Sequence, residues 1–215
     1  VTLYNSPYVA HDHGHAVDLY PGDPTHPDPV DGDPVPAPSP IAGEIVGVRT
    51  VTAPARPYAA GEDHLILVDT AASDGTPAGG ANDALATSDG EAPIARILHV
   101  DPAVEPGDSV AVGDHLGTLV RAGFFAPWVA NHVHLGFRPR GADLERAAGS
   151  LPLALAPSLR VEPARWDGTG TVVAAGDTYA VLDSPTHPDP GTFAGIAATD
   201  GRGGVVGVLD GGLPH

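Results

Sequence analysis

The sequence predicts an all-β fold, a sandwich or partly open barrel of short antiparallel strands with a C-terminal β extension. The 28 Gly and 24 Pro among the 215 residues favour frequent tight turns. Hydrophobic residues make up 42% of the chain and recur between the turn residues in short apolar runs. Such runs are typical of sandwiches and barrels. A disordered chain can be equally rich in Gly and Pro, but it lacks recurring apolar runs.

Six apolar runs follow a first short strand that is predicted at residues 16–20. The intervening residues 21–40 are rich in Pro and Asp, and their prolines exclude a helix or a central strand. We therefore expect a surface connection there. The one predicted helix is Ala142–Ala148, about two turns long. The six runs are Ile41–Thr52, His64–Thr70, Ile94–Val100, Ser109–Val112, His115–Arg121 and His132–Arg138.

The chain changes character after Gly149, where runs such as GTGTVVAAGD and GGVVGVLDGG begin. We predict two units. Residues 1–149 form a β domain that carries the candidate site, and residues 150–215 form a β extension or a small second domain without an assigned role.

The net charge of −17 comes from 27 acidic residues against 10 basic ones. Such a charge repels phosphate backbones and anionic membrane surfaces, so neither nucleic acid nor a membrane is expected as a partner. All ten basic residues are Arg, and Asp outnumbers Glu by 21 to 6. Because the acids are scattered rather than gathered in one run, we interpret them as the acidic surface of a halophilic protein in high salt.

The chain contains no Cys, so any metal must be held by His and carboxylate side chains. It shows neither the basic and apolar start of a signal peptide nor an apolar run of the ~18 residues that a membrane span needs. We therefore expect a soluble protein.

Histidines cluster near the start of the chain, in HDHGHAVD. His11, His13 and His15 precede a strand in which Asp18 alternates with Val17 and Leu19. Strand alternation lets Asp18 face a site while its two neighbours enter the core.

A second cluster, HVHLGF, carries His132 and His134. Residues two apart on a strand share a face, so both rings are predicted to point to one side. Each cluster alone fits a solvated loop or an edge strand equally well. Together they supply the three His or carboxylate ligands of a catalytic zinc site.

Five motifs resemble, in order, the signatures of the lysostaphin-like zinc metallopeptidases, which are enzymes of the murein endopeptidase type. They are HGHAVDLYPGDP, SPIAGEIVGV, DHLILVDT, ARILHVDPAVEPGDSVAVGDHLGTL and NHVHLGFRP, and they cover about residues 7–140. The resemblance implies a duplicated hybrid motif fold, zinc as cofactor, and hydrolysis of an amide bond in a peptide or a cell-envelope crosslink.

Carried over by motif, Asp18 and His134 are zinc ligands. His132 is the general base, and His99 is the second catalytic histidine. Zinc would activate a water near neutral pH, His132 would take its proton, and His99 would hydrogen-bond the oxyanion or position the water.

The first zinc ligand departs from the family's HxxxD spacing, which here falls on Gly14. His13 and His15 lie one residue on either side, and both remain candidates: a one-residue bulge would bring in His13, a shortened approach His15. His11 is a weaker option.

Two other functions are compatible with these residues. A catalytically silent family member would keep the fold as a binding or regulatory module. A protein similar to the glucose-specific sugar phosphocarrier would share the SPIxGEIV string, although the HAVD element is foreign to it. His99 could also be a packed strand-end residue. Phe124, Phe125 and Trp128, just upstream of HVH, fit a groove wall and a core equally well.

Overall fold

A computed structural model describes residues 14–21, 34–72, 91–127, 129–153, 159–175 and 180–209. In these ranges the protein is all-β, as predicted, with one short 3-10 turn at Thr70–Ala72. None of the helical structure in this part of the chain is long and apolar enough to cross a membrane. The strands are β1 (Ala16–Leu19), β2 (Pro36–Pro38), β3 (Gly43–Thr52), β4 (Glu62–Asp69), β5 (Ile94–Leu98), β6 (Val100–Pro102), β7 (Ser109–Val110), β8 (His115–Leu119), β9 (Val133–Arg138), β10 (Val161–Ala164), β11 (Val172–Ala175), β12 (Ala180–Leu182), β13 (Phe193–Thr199) and β14 (Val205–Leu209).

The first nine strands form two sheets. An antiparallel sheet has the order β1-β9-β5-β4-β3-β7, and a smaller one has the order β2-β8-β6. One buried cluster draws side chains from both sheets, which gives the two layers of a sandwich. Its members include Ala37, Ile45, Ile66, Ile97, Val100, Leu116, Val133 and Leu135.

The large sheet has two different faces. On β9, Val133, Leu135 and Phe137 belong to the core cluster, so His134 and Arg138 point to the opposite face. On β1, Val17 and Leu19 pack on the same core, so Asp18 shares the opposite face with His134. We call this second face the site face.

The predicted helix at Ala142–Ala148 is wrong, because the segment is a series of bends. The Asp143 carboxylate accepts hydrogen bonds from the backbone N–H of Glu145 (3.0 Å) and Arg146 (3.2 Å). The buried Arg138 guanidinium donates to the carbonyls of Asp143 (3.3 Å) and Arg146 (2.6 Å). A helix would have used the Asp143 carbonyl for its own hydrogen bond to residue 147.

The Pro-rich stretch contributes the edge strand β2, where only a connection was predicted. The Ala37 side chain is fully buried in the core, while Pro36 and Pro38 on either side of it are exposed. An edge strand tolerates proline because one row of its N–H groups has no partner strand. Residues 22–33 of the stretch lie outside the described ranges.

The C-terminal strands form a sheet of order β10-β13-β14 and a hairpin of β11 and β12. Residues 151–153 associate with the first unit, since Leu151 N donates to Phe137 O and Leu153 N to Gly14 O, both at 2.8 Å. The side chains of Leu151 and Leu153 also pack on the first core.

Candidate functional site

Strand register aligns the predicted site residues across the site face. Leu65, Leu98, His134 and Asp18 are neighbours in register on β4, β5, β9 and β1. A second row of side chains lies beside the first. In this row each side chain contacts the next, in the order Asp63, His99, His132 and Tyr20. Four strands that are remote in sequence therefore bring their polar groups to one end of this face.

Asp18 lies at the centre of the cluster. Its Oδ1 is 3.0 Å from Nδ1 of His134, and its Oδ2 is 3.6 Å from Nε2 of His132. The carboxylate is largely buried, and the neighbouring Ala16 on the same face is fully buried. One carboxylate therefore contacts both rings of the HxH motif.

His132 is only 3% exposed, and its ring is oriented by the backbone. Nδ1 donates a hydrogen bond to Ala130 O at 2.8 Å, which leaves the Nε2 lone pair directed at the site. Burial lowers the pKa of His132 to about 4, against the opposing effect of the Asp18 carboxylate. The ring is therefore neutral at pH 7.

His99 reaches the site through a break in strand alternation. Ile97 and Val100 both enter the core cluster, although residues three apart on a regular strand face opposite sides. His99 has a φ of 69°, the left-handed conformation, and this single residue separates β5 from β6. As a result, the side chains of Leu98 and His99 both turn away from the core. The His99 ring centroid lies 5.0 Å from that of His132 and 5.8 Å from that of His134.

Asp63 is a site residue that the sequence interpretation missed. Its carboxylate is 0% exposed, and its Oδ2 lies 2.7 Å from Nδ1 of His99. Its Oδ1 accepts hydrogen bonds from the backbone N–H of His64 (2.8 Å) and His99 (3.1 Å). Because Ile66 and Val68 on β4 enter the core cluster, strand alternation places Asp63 on the site face together with Leu65 and Leu67. The sequence offers no signal that the partner of Asp63 is 36 residues away.

Phe125 closes one side of the cluster. Its ring centroid lies 4.8 Å from that of His132 and 5.2 Å from that of His99, and the residue is also buried in a small apolar cluster. Phe124 is more distant, at 6.5 Å from His99. Trp128 lies outside the described residues. Phe125 therefore serves both packing and the site, the two interpretations that its sequence position allows.

Arg121 holds the loop that carries Phe125 and leads to His132. Its guanidinium donates to Val129 O (3.0 Å), to Asn131 Oδ1 (3.3 Å) and to Pro127 O. It also lies 5.7 Å from the centre of the Phe125 ring. These contacts order the loop between β8 and β9.

The candidates for the first ligand are distributed on both sides of a turn at Gly14. Gly14 has a φ of 66°, which glycine adopts readily. His15 is half-buried and precedes β1, whereas His11 and His13 lie outside the described residues. Within the described ranges, no three His, Asp or Glu side chains are arranged to hold a metal ion.

Two family models cover most of the chain. One, described as the N-terminal domain of DUF8155, a domain of unknown function, matches residues 1–155. The other, described as the C-terminal domain of DUF8155, matches residues 162–215. No curated protein and no solved structure matches the chain. Because the N-terminal model alone spans more than half of its length, the chain belongs to the DUF8155 family.

Proposed function

We propose that the protein is a zinc-dependent hydrolase of the metallo-endopeptidase type that cleaves an amide or peptide bond. One observation carries the proposal: Asp18, His132, His134 and His99 converge from remote parts of the chain onto one partly buried point. The ordered motifs of residues 7–140 support the same function.

The donor atoms of Asp18 and His134 suit a zinc ion. Ligand distances of 2.0–2.2 Å in a tetrahedral shell place neighbouring donor atoms about 3.3 Å apart, close to the 3.0 Å between Asp18 Oδ1 and His134 Nδ1. A third ligand is needed. His13 and His15 both remain candidates: His15 directly precedes β1, and His13 lies outside the described residues.

The chain's own residues would divide the chemistry between them. When bound, zinc supplies an acidified water and polarises the scissile carbonyl. His132 would take the water's proton at Nε2, since its Nδ1 proton is already held by Ala130 O. Asp18, 3.6 Å from that nitrogen, would offset the developing charge. His99 and Phe125 would restrict the water and the carbonyl to one side of the cluster.

The substrate class is a peptide or a cell-envelope crosslink. An apolar cleft lined by Leu19, Tyr20, Pro38, Pro40 and Val133 lies on the core side of the large sheet. Tyr20 connects it to the site, because its ring centroid is 5.3 Å from that of His132. Such a cleft accommodates small apolar side chains on one side of the scissile bond.

Elemental analysis and a cleavage assay on the 215-residue chain in high salt test the proposal. We expect one zinc per chain and hydrolysis of at least one member of a library of peptides and crosslinks. His115→Ala, an exposed histidine of the smaller sheet, is the matched control and should keep both properties. Full zinc without any cleavage would contradict the hydrolase.

A second candidate function is a catalytically silent binding module. It would use the same buried cluster of Asp18, His132 and His134 to bind a ligand without hydrolysing it. A chain that binds no zinc, yet whose thermal stability rises with a crosslink peptide, would support this function over the enzyme.

A further inference from the structure

The buried carboxylate of Asp63 stands behind the site without contacting its centre. A buried carboxylate costs several kcal/mol unless its oxygens accept hydrogen bonds. Asp63 satisfies both oxygens, through the backbone N–H groups of His64 and His99 and the ring of His99. Two of these three interactions are made with His99. The position therefore acts mainly on that one residue.

The first effect of Asp63 is on the His99 ring. A carboxylate can only accept, so Nδ1 of His99 carries the proton in the 2.7 Å contact with Asp63 Oδ2. The neutral ring then has its lone pair on Nε2, on the edge away from Asp63. That edge belongs to a ring that packs against His132 and Phe125. The contact thus selects both the orientation and the tautomer of His99.

The second effect is on the backbone. The left-handed conformation is strained for a residue with a Cβ, and His99 adopts it with a φ of 69°. The His99 N–H donates to Asp63 Oδ1 at 3.1 Å, which helps to hold this conformation. Without the break, alternation would turn residue 99 toward the core.

We propose that Asp63 is the positioning residue of the site, holding His99 as the Nδ1–H tautomer and stabilising the left-handed backbone that turns it to the site face. The catalytic consequence rests on the proposed hydrolase function. The tautomer itself can be measured without any substrate. The tautomer assignment and the proposed catalytic role can therefore be contradicted independently of each other.

Asp63→Asn is the informative substitution because it preserves size and the acceptor for the two backbone N–H groups. Its amide N–H₂ would replace Oδ2 and face Nδ1 of His99. Nδ1 must then accept, and the proton moves to Nε2. Asp69→Asn is the matched control, since Asp69 lies at the other end of β4 and pairs with Arg140, at 2.6 Å, outside the site.

Long-range ¹H–¹⁵N NMR of the histidine rings in the 215-residue chain reads out the tautomer. We expect Nδ1–H at His99 in the wild type and in Asp69→Asn, and Nε2–H in Asp63→Asn. The same tautomer in wild type and Asp63→Asn would overturn the proposal, whether or not the protein cleaves any substrate.

Kinetics test the catalytic consequence. Substituting a residue that orients a site group typically costs about 10–100-fold, so Asp63→Asn should lose this much in kcat, with zinc content and KM unchanged. Because Asp63 acts through His99, the double variant with His99→Ala should be no slower than His99→Ala alone. A further loss in the double variant, or full activity in Asp63→Asn, would overturn this role. A wild type that cleaves nothing would overturn the hydrolase and leave the NMR result to decide on Asp63.

Discussion

The two parts of the chain use their polar residues in different ways. In residues 14–153, carboxylates reach histidines that are far away in sequence: Asp18 contacts His134 across 116 positions and Asp63 contacts His99 across 36. In residues 159–209, the carboxylates mostly bond nearby backbone. Asp200, for example, accepts from Arg202 N and Gly204 N.

Burial accounts for this difference. The first part contains three buried apolar clusters, whereas Ala164 is the only buried hydrophobic residue described in the second. Large apolar side chains there remain exposed, such as Val206 at 70% and Phe193 at 53%. Only a packed core can hold polar side chains away from water in a fixed geometry, so a preorganised site belongs to the first part.

The largest expected effect is on metal content. Asp18→Ala or His134→Ala should reduce zinc from one per chain to none, because loss of one of three protein ligands abolishes the site. Asp200→Ala, in the second part, should leave it unchanged. Elemental analysis of the purified variants checks this, and unchanged zinc in both site variants would contradict the ligand assignment.

The next effect separates chemistry from metal binding. His132→Ala should keep zinc and lose about 10²–10⁴-fold in hydrolysis, the usual contribution of a general base. His99→Ala should lose less. His187→Ala, an exposed histidine of the second part, should cleave at the wild-type rate. A His132→Ala variant as fast as the wild type would rule out this residue as the base.

Matched apolar truncations measure the difference in packing. Ile66 is fully buried in the first core, so Ile66→Ala should lower the free energy of unfolding by about 2–5 kcal/mol. Val206→Ala should change it by no more than about 0.5 kcal/mol, as is usual for an exposed position. Urea unfolding provides both values. Equal losses would show that the second part is covered in solution.

Acid should destabilise the site-bearing part of the metal-free protein. The folded-state pKa of His132 is about 4, below the unfolded value of 6.5, so the unfolded chain binds more protons between these values. Stability therefore falls as the pH drops from about 6.5 to about 4, by about 3 kcal/mol. Unfolding curves of the wild type and His132→Gln at pH 7 and pH 4 isolate this contribution, which His132→Gln should lack.

Raising the salt concentration should stabilise both parts of the chain, and the second part less than the first. Residues 1–149 carry 7 Arg against 20 acids, a net charge of −13, and residues 150–215 carry 3 Arg against 7 acids, or −4. Self-repulsion is screened as salt rises from near zero to molar levels. Hydrogen exchange at several salt concentrations should show the larger gain in protection in residues 1–149. Indifference to salt would contradict the halophilic interpretation.

Local patterns predicted the strands well because strand alternation and turn formation depend only on residues that are neighbours in the sequence. The run predicted at Ile41–Thr52 appears as β3 and the one at His132–Arg138 as β9, each trimmed at its start. The helix at Ala142–Ala148 failed for the opposite reason. The Asp143 carbonyl, which the helix would need, accepts a hydrogen bond from Arg138 instead, and a helical pattern contains no information about a competing donor from another element.

The sequence by itself determined the all-β class, the pairing of His132 with His134 on one face, and the exposure of Asp18 to that face. The fold class depends on turn residues between short apolar runs, and the other two depend on the two-residue period of a strand. Only the tertiary structure decided that Asp63 supports His99, because that contact requires β4 and β5 to be neighbours and residue 99 to leave the strand alternation. Sheet order and a left-handed residue result from long-range packing, which no local pattern encodes.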